Sequence, residues 1–453
     1  MAQSLTPKSK IEMASIYVVG HKNPDTDSVA SAIGYAWLLR ERDGEEAVPA
    51  RAGSLRPQTE FALKYFGVET PMLLEDASPR FRAIADPIKP LSPESPLAEA
   101  WRQSAVRGRV MPVVDAEGRP VGMVTSQSVF NYLSKRLDLA DRPFRDLIGV
   151  PAGQACDPNV PRFNVNDRIS DYRDRIFNAQ YDDFWVVDGD GKYIGTCRRA
   201  DMLQPPKMRL VLVDHNEPSQ AVNGLEEAEV LEVLDHHRLA TINTTMPISF
   251  YVSVVGSTST LVSERMRLAR LNPPPSIAGM LLSGLLSDTL VFKSPTTTQR
   301  DRMSGLWLAW MAFGVDEAER QMHEYGEELL RAGADVAGQS PQELIRADMK
   351  EFEAGRIKFS VSQIEVTSFV PVLERVGDIR RALREMCEQR GHEVAALMVT
   401  DITANNSLLI AVGPAKYLER LPFSRKDEGV WDMPGIVSRK KQLLPTLLGA
   451  LQG

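Results

Sequence analysis

Cysteine is nearly absent. Only Cys156, Cys197 and Cys387 occur in 453 residues, widely scattered and with no CxxC pair. That excludes a disulfide framework and a thiolate zinc ribbon, and it points to a reducing, cytoplasmic setting. Long apolar runs are missing as well. The stretch Met280 to Leu286 is among the longest, far short of the roughly 20 residues a membrane span needs, so no membrane partner is expected. The first dozen residues, Met1 to Glu12, are polar and show no secretory signal, and Met13 offers a second start. An excess of positive charge is also lacking. The net charge of −7 argues against nucleic acid as a partner, while leaving room for a local cationic site that takes a small anion.

What is present describes a globular protein, with 43% hydrophobic and 25% charged residues, long enough for two to four domains. Histidine is scarce but not scattered. Of the six, His21, His215, His236 and His237 sit beside or near aspartates in three short clusters.

The chain opens as a buried strand, Ile16 to Gly20, a polar turn, and a helix from about Ser28 to Arg40 with Thr26 or Ser28 at its N-cap. A second βα unit runs Ala47 to Ala52 and Arg56 to Phe66. Near Ser78 the character changes. Two segments follow, each with a helix, a strand, a D-x-x-G turn, a strand and another helix, and their Val-Val-Asp centres form an internal repeat. Pro205-Pro206 closes this insert. The βα alternation then resumes with strands at Arg209 to Val213, Val230 to Leu234 and Ser249 to Val255. Helices follow over Ser257 to Leu271, after the Pro273-Pro274-Pro275 break to Leu286, and over Gln299 to Leu330. Gly333 to Pro341 reads as a linker, and a mixed α/β segment with strands near Ile357, Val394 and Leu408 ends the chain. Alternating β and α predict a mostly parallel sheet with ligands beyond its C-terminal strand ends.

Four acidic or histidine clusters fall at predicted strand or helix ends: His21 to Asp27, Asp214-His215-Asn216, Asp235-His236-His237, and Ser287-Asp288-Thr289. Carboxylates gathered in a small volume repel one another unless a cation lies between them. Two imidazoles with four carboxylates exceed what one tetrahedral zinc needs and suffice for two ions of higher coordination. Mixed N/O donors without thiolate suit manganese or cobalt, with magnesium possible. Two such ions can hold and deprotonate a bridging water for attack on phosphorus.

His-x-x-x-Asp-x-Asp, a lone strand-end Asp, and Asp-His-His followed by Ser-Asp resemble the DHH phosphoesterase superfamily. No Gly-Gly-Gly-His stretch of its nucleases and phosphodiesterases is present, whereas Ser438-Arg439-Lys440-Lys441-Gln442 is similar to the basic signature of the family II inorganic pyrophosphatases. The resemblance covers roughly residues 15–75 and 208–453. It implies metal ligands His21, Asp25, Asp27, Asp214, His236 and Asp288, with Asp214 bridging two tightly held manganese or cobalt ions and magnesium arriving with pyrophosphate. It implies that His237, Lys350, Arg439 and Lys440 face the substrate. Acidic and basic parts lie on opposite sides of Gly333 to Pro341, so hinge closure is expected.

The repeat resembles a tandem pair of CBS domains, βαββα-type modules that bind adenine nucleotides. The resemblance implies regulation by AMP or ADP. The Gly-x-x-Thr/Ser-x-x-Asp pattern is incomplete in both modules: Gly122 and Thr125 are followed by Ser128 in the first, and Gly195 by Arg198 and Asp201 in the second. One composite site using Thr125, Arg198 or Arg199, and Asp201 is the reading these residues give. The expected architecture is therefore an α/β chain. A parallel-sheet DHH catalytic domain (14–75 and 205–332) is interrupted by a tandem CBS insert (76–204) and followed by a mixed α/β DHHA2-type domain (341–453). It is expected to be a homodimer, formed partly through the insert. The competing readings are a phosphodiesterase or exopolyphosphatase of the same superfamily, and a nucleotide sensor with little turnover.

Overall fold

The computed structural model describes residues 15–452, apart from 108–109, 137–142, 144–145, 147, 241, 243, 245, 335–338, 347, 367–368 and 402–405. Met13 and the middle of the expected linker therefore lie outside the described residues. The chain divides into two compact units. One holds the chain up to Asn23, Tyr35–Gly53 and Pro71–Val254; the other holds Pro24–Gly34, Ser54–Thr70 and the chain from Val255 on.

The first unit is built on a parallel sheet. Its strand β1 (Ile16–Val19) is buried throughout, as its unbroken apolar run requires of a strand covered on both faces. Strands β2 (Ala47–Arg51) and β3 (Met72–Leu73) extend the sheet to one side. Between residues 76 and 204 the chain leaves this sheet and builds two smaller ones. The first pairs β4 (Met111–Val114) with β5 (Pro120–Val124), antiparallel; the second joins β6 (Arg162–Asn164), β7 (Asp183–Val187) and β8 (Tyr193–Arg198). The chain then returns with β9 (Arg209–Val213), β10 (Glu229–Asp235) and β11 (Ser249–Val252). The six strands lie in the order β11-β10-β9-β1-β2-β3, all parallel. The strand order reverses between β1 and β9, and the C-terminal ends of such neighbours leave a crevice where α/β sheets hold ligands.

The sequence repeat is a structural repeat. Leu91 bridges Val113 in parallel as Phe163 pairs with Val186 in parallel. The segment leading each half crosses to the other: Asp86 bridges Thr196 in β8, and Asp157 bridges Met123 in β5. Equivalent positions recur after about 72 residues, the period of one supersecondary unit that cannot bury its apolar face alone. Met123, Val160, Trp185 and Val187, drawn from both halves, form their shared buried core.

Helix α1 (Thr26–Asp43) begins earlier than the sequence suggested. The Asp25 carboxylate accepts the Ser28 N–H at 2.9 Å and supplies the cap, so Asp27 sits in the first helical turn instead of the loop.

The second unit contains α2 (Pro57–Tyr65) and four longer helices, α3 (Thr258–Leu268), α4 (Pro275–Asp288), α5 (Gln299–Phe313) and α6 (Ala318–Ala334). Phe61, Tyr65 and Phe66 pack on Tyr325 with ring centroids 4.7 to 6.1 Å apart, which ties the segment around α2 to α6. A mixed sheet follows, made of β12 (Lys350–Ala354), β13 (Ile357–Val366), β14 (Val394–Asp401), β15 (Asn406–Val412), β16 (Ser424–Asp427) and β17 (Val430–Pro434). Along β14, Ala395, Leu397 and Val399 face α7 (Val376–Arg390), while Val394, Ala396 and Met398 join the core that includes α8 (Leu444–Gln452). That period of two buries both faces.

Candidate metal centre and phosphate site

Asp214 follows β9 directly and has φ 62, a left-handed conformation that costs a non-glycine residue on the order of 1 kcal/mol. Its N–H donates to the Leu234 carbonyl at 3.0 Å, which pins it against β10. The carboxylate is 1% exposed; its oxygens lie 3.4 Å from His21 Nε2 and 3.5 Å from His236 Nε2. Burial alone would raise the Asp214 pKa, but the two imidazoles outweigh it and hold the carboxyl well below the usual range. Asp214, His236 and His237 each place a donor atom within 4.8 Å of the others.

Asp235, fully buried at the end of β10, organises this group. Its Oδ1 accepts the His236 N–H at 2.8 Å, the His237 N–H at 3.2 Å and His237 Nδ1 at 2.9 Å. Its other oxygen accepts the Asn216 side-chain amide, whose Oδ1 in turn accepts the Ala240 N–H at 2.5 Å. Burial lowers the His237 pKa, yet the Asp235 bond and the nearby Asp214 carry it above the ordinary histidine value. His215 has a different role. Its Nδ1 donates to the Val213 carbonyl at 2.8 Å, and burial pushes it down to about 4, so it is neutral packing. The sequence clusters named Asp235 and Asn216 without giving either a role.

In the second unit, Asp27 is fully buried and accepts hydrogen bonds from Ser257 Oγ (2.7 Å), Thr258 N (2.6 Å), Ser259 N (2.9 Å) and Ser259 Oγ (2.5 Å). Asp288 ends α4, and an oxygen of each of these two carboxylates lies within 4.8 Å of the other. Immediately afterwards Leu290, Val291 and Phe292 take φ of 49, 52 and 64, a left-handed turn without glycine. It is held by packing, Phe292 against Gly305 and Val291 against Gly326, where any Cβ would collide. Strain of this kind persists only where the surroundings over-determine it. Carboxylates and imidazoles, with no thiolate, are the donors of a manganese, cobalt or magnesium site. One seven-residue stretch, His21 to Asp27, supplies three of the six expected ligands.

The basic residues of the second unit also converge. Lys350 opens β12, while Arg439 and Lys440 sit in a π-helical turn, Arg439–Leu443, which Ser438 caps through the Lys441 N–H at 3.2 Å. Burial lowers the Lys350 pKa, and the neighbouring Lys440 and Arg439 lower it further. Arg439 is buried and tied down. Its guanidinium lies 2.8 Å from an Asp348 carboxylate oxygen and donates to the Val361 carbonyl at 3.2 Å. Asp348 is the partner that sequence reasoning passed over, two residues before Lys350.

Within residues 76–204, Thr125 and Ser128 form a capping box, with bonds of 2.9 and 2.8 Å at the end of β5. The matching site after β8 has Asp201 accepting the Arg198 N–H at 3.2 Å. Arg198 is exposed, whereas Arg199 donates to the Tyr181 carbonyl at 3.1 Å.

Residues 15–285 match the DHH family, N-terminal domain, and residues 327–450 match the DHHA2 domain. The chain belongs to the DHH family. Among its relatives is a protein from Clostridium perfringens named as a cobalt-dependent inorganic pyrophosphatase, 27% identical across 95% of this chain and 97% of that one. That alignment runs over 541 residues, more than this chain's 453, so the relative carries insertions that this DHH protein lacks. A protein from Thermotoga maritima named as a candidate manganese-dependent inorganic pyrophosphatase is 28% identical with the same coverage. The crystal structure of a candidate family II inorganic pyrophosphatase from Methanococcus jannaschii superposes with a TM-score of 0.56 at 27% identity. It covers 96% of this chain and 99% of that one.

Proposed function

We propose that this DHH protein hydrolyses inorganic pyrophosphate to two phosphates. His21, Asp25, Asp27, Asp214, His236 and Asp288 hold two manganese or cobalt ions, and magnesium accompanies the substrate. The observation that carries this reading is Asp214, a buried, strained carboxylate flanked by two imidazoles at the switch point of the sheet. The bound ions supply charge neutralisation and an acidified water. The chain's own groups do the rest. Lys350, Lys440 and Arg439 offset the charge of the phosphate oxygens and of the leaving phosphate. His237, whose pKa Asp235 and Asp214 raise against the effect of burial, presents its second ring nitrogen to a phosphate oxygen.

Residues 76–204 act as a CBS pair that binds AMP or ADP through Thr125, Arg198 and Asp201 and adjusts turnover in a homodimer. The crossed repeat supports this reading, as does the docking of the insert on the loop between Asp214 and Asp235. There Asp76 bridges Asn223, and Ser170 Oγ donates to Glu227 at 3.1 Å. The deciding experiment is phosphate release from pyrophosphate, polyphosphate, ATP and a dinucleotide with manganese or cobalt added. Pyrophosphate is expected to be turned over far faster than the others, and comparable turnover of the dinucleotide would overturn the reading.

A further inference from the structure

Asp301 lies in the first turn of α5, outside the four ligand clusters, and it is completely buried. Capping α5 explains only part of its bonding. Its Oδ2 accepts Thr298 N at 2.6 Å while its own N–H donates to Thr298 Oγ1 at 3.4 Å, the reciprocal pattern of a capping box, and Thr298 Oγ1 also donates to Oδ2 at 2.7 Å. The same carboxylate reaches back to the start of α3, where Gly256 N donates to both oxygens (3.0 and 2.9 Å) and Thr260 Oγ1 donates to Oδ1 (2.7 Å). The approach needs glycine at 256, because a Cβ there would lie 3.1 Å from Asp301 Oδ2 and 2.7 Å from Thr289 Cγ2. Every donor is an N–H or a hydroxyl. Burying a carboxylate on dipoles alone is costly, and a hydroxyl cap at Thr298 would satisfy the helix without it.

Between the two residues that Asp301 holds, Gly256 and Thr260, stand Ser257, Thr258 and Ser259. These three supply four of the donors on Asp27, beside Ser31 Oγ at 3.4 Å. We infer that Asp301 is a positioning residue that fixes residues 256–260 at the start of α3, and through them the orientation of Asp27 as a metal ligand. This rests on the assignment of Asp27 in the proposed function. Groups that orient a metal ligand typically change metal affinity by about 10- to 100-fold when removed.

The test uses the full-length protein stripped of metal and titrated with Co2+, reading affinity by calorimetry and ligand geometry by the visible cobalt absorption. Asp301→Asn is expected to weaken Co2+ binding about 10- to 100-fold and to alter the cobalt spectrum. Thr260→Val, which removes one of the bonds to the start of α3, is expected to do the same to a smaller degree. Thr298→Ala loosens the cap of α5 and lowers the melting temperature, but it leaves Co2+ affinity and spectrum as in the parent. Unchanged cobalt binding in Asp301→Asn would overturn the inference, and so would a loss in Thr298→Ala matching that in Asp301→Asn. If Asp301→Asn does not fold, Thr260→Val decides, and parental cobalt binding there overturns it. Asp27→Asn separates the two layers. If it binds cobalt normally, the ligand assignment itself falls; if it alone loses cobalt, only the positioning role falls.

Discussion

A buried carboxylate kept ionised by two imidazoles has little structural use, and Asp214 adds left-handed strain to that cost. Asp214→Asn keeps the shape but removes the charge. It is expected to lower phosphate release by more than about 100-fold and to reduce the Co2+ bound per chain, measured by equilibrium dialysis. Lys350 leads to a prediction about pH. Burial first, and then Lys440 and Arg439, favour its neutral form, so its charge is lost at lower pH than that of an ordinary lysine. The KM for pyrophosphate is therefore expected to rise on the alkaline side, with kcat changing less. Lys350→Arg, whose guanidinium stays protonated, should move that rise to higher pH. An alkaline limb identical in both proteins would remove Lys350 from substrate binding. At this scale the sequence was most readable where residue types are rare. Histidines beside aspartates marked Asp214, His236 and His237, whereas Asp235, Asn216, Asp301 and Asp348 act through partners that no local pattern reveals.

The secondary-structure elements followed their local signals closely. Unbroken apolar runs became the buried strands β1 and β9, and prolines stand at the first positions of α2 and α4. The misses have specific causes. The start of α1 moved because a loop aspartate served as its cap. Strands β12 and β16 went unread because their short, largely charged sequences take their pairing from neighbours, and β17, buried at Val430, Trp431 and Met433, is a five-residue run too short to read. The left-handed turn after Asp288 was equally invisible, since Leu290, Val291 and Phe292 are the residues least suited to it. What holds that turn is the bare surface of α5 and α6. Gly305→Ala would place a methyl 2.6 Å from the Phe292 ring, so the ring has to shift away from α5. A loss of about 1–3 kcal/mol is expected, seen as a melting temperature lower by several degrees, together with weaker Co2+ binding as Asp288 shifts. Weaker stability with parental metal binding would show that the strain serves packing alone.

Across the whole molecule, the nucleotide response proposed for residues 76–204 requires a connection to the ligands, and the first unit offers a candidate. Asp76 accepts from Arg80 at 2.7 Å and from Arg168 at 2.8 Å, which ties the start of residues 76–204 to the segment that follows β6. Its backbone also bridges Asn223, in the loop that begins after Asp214 and ends at β10, and the Lys22 N–H beside His21 donates to Gln220 in that loop at 2.8 Å. Spatial continuity alone is not coupling, which needs an element that both sites bias. The separation of binding from response tests it. Asp201→Ala is expected to weaken AMP binding about 10-fold, whereas Asp214→Asn, although inactive, should bind AMP as the parent does. Asp76→Ala should bind AMP with parental affinity and hydrolyse pyrophosphate, yet lose most of the change in rate that AMP causes. Calorimetry reads the first quantity and phosphate release the second. A full rate response in Asp76→Ala would move the connection elsewhere in the first unit, and a lost response accompanied by lost AMP binding would make Asp76 part of the nucleotide site itself.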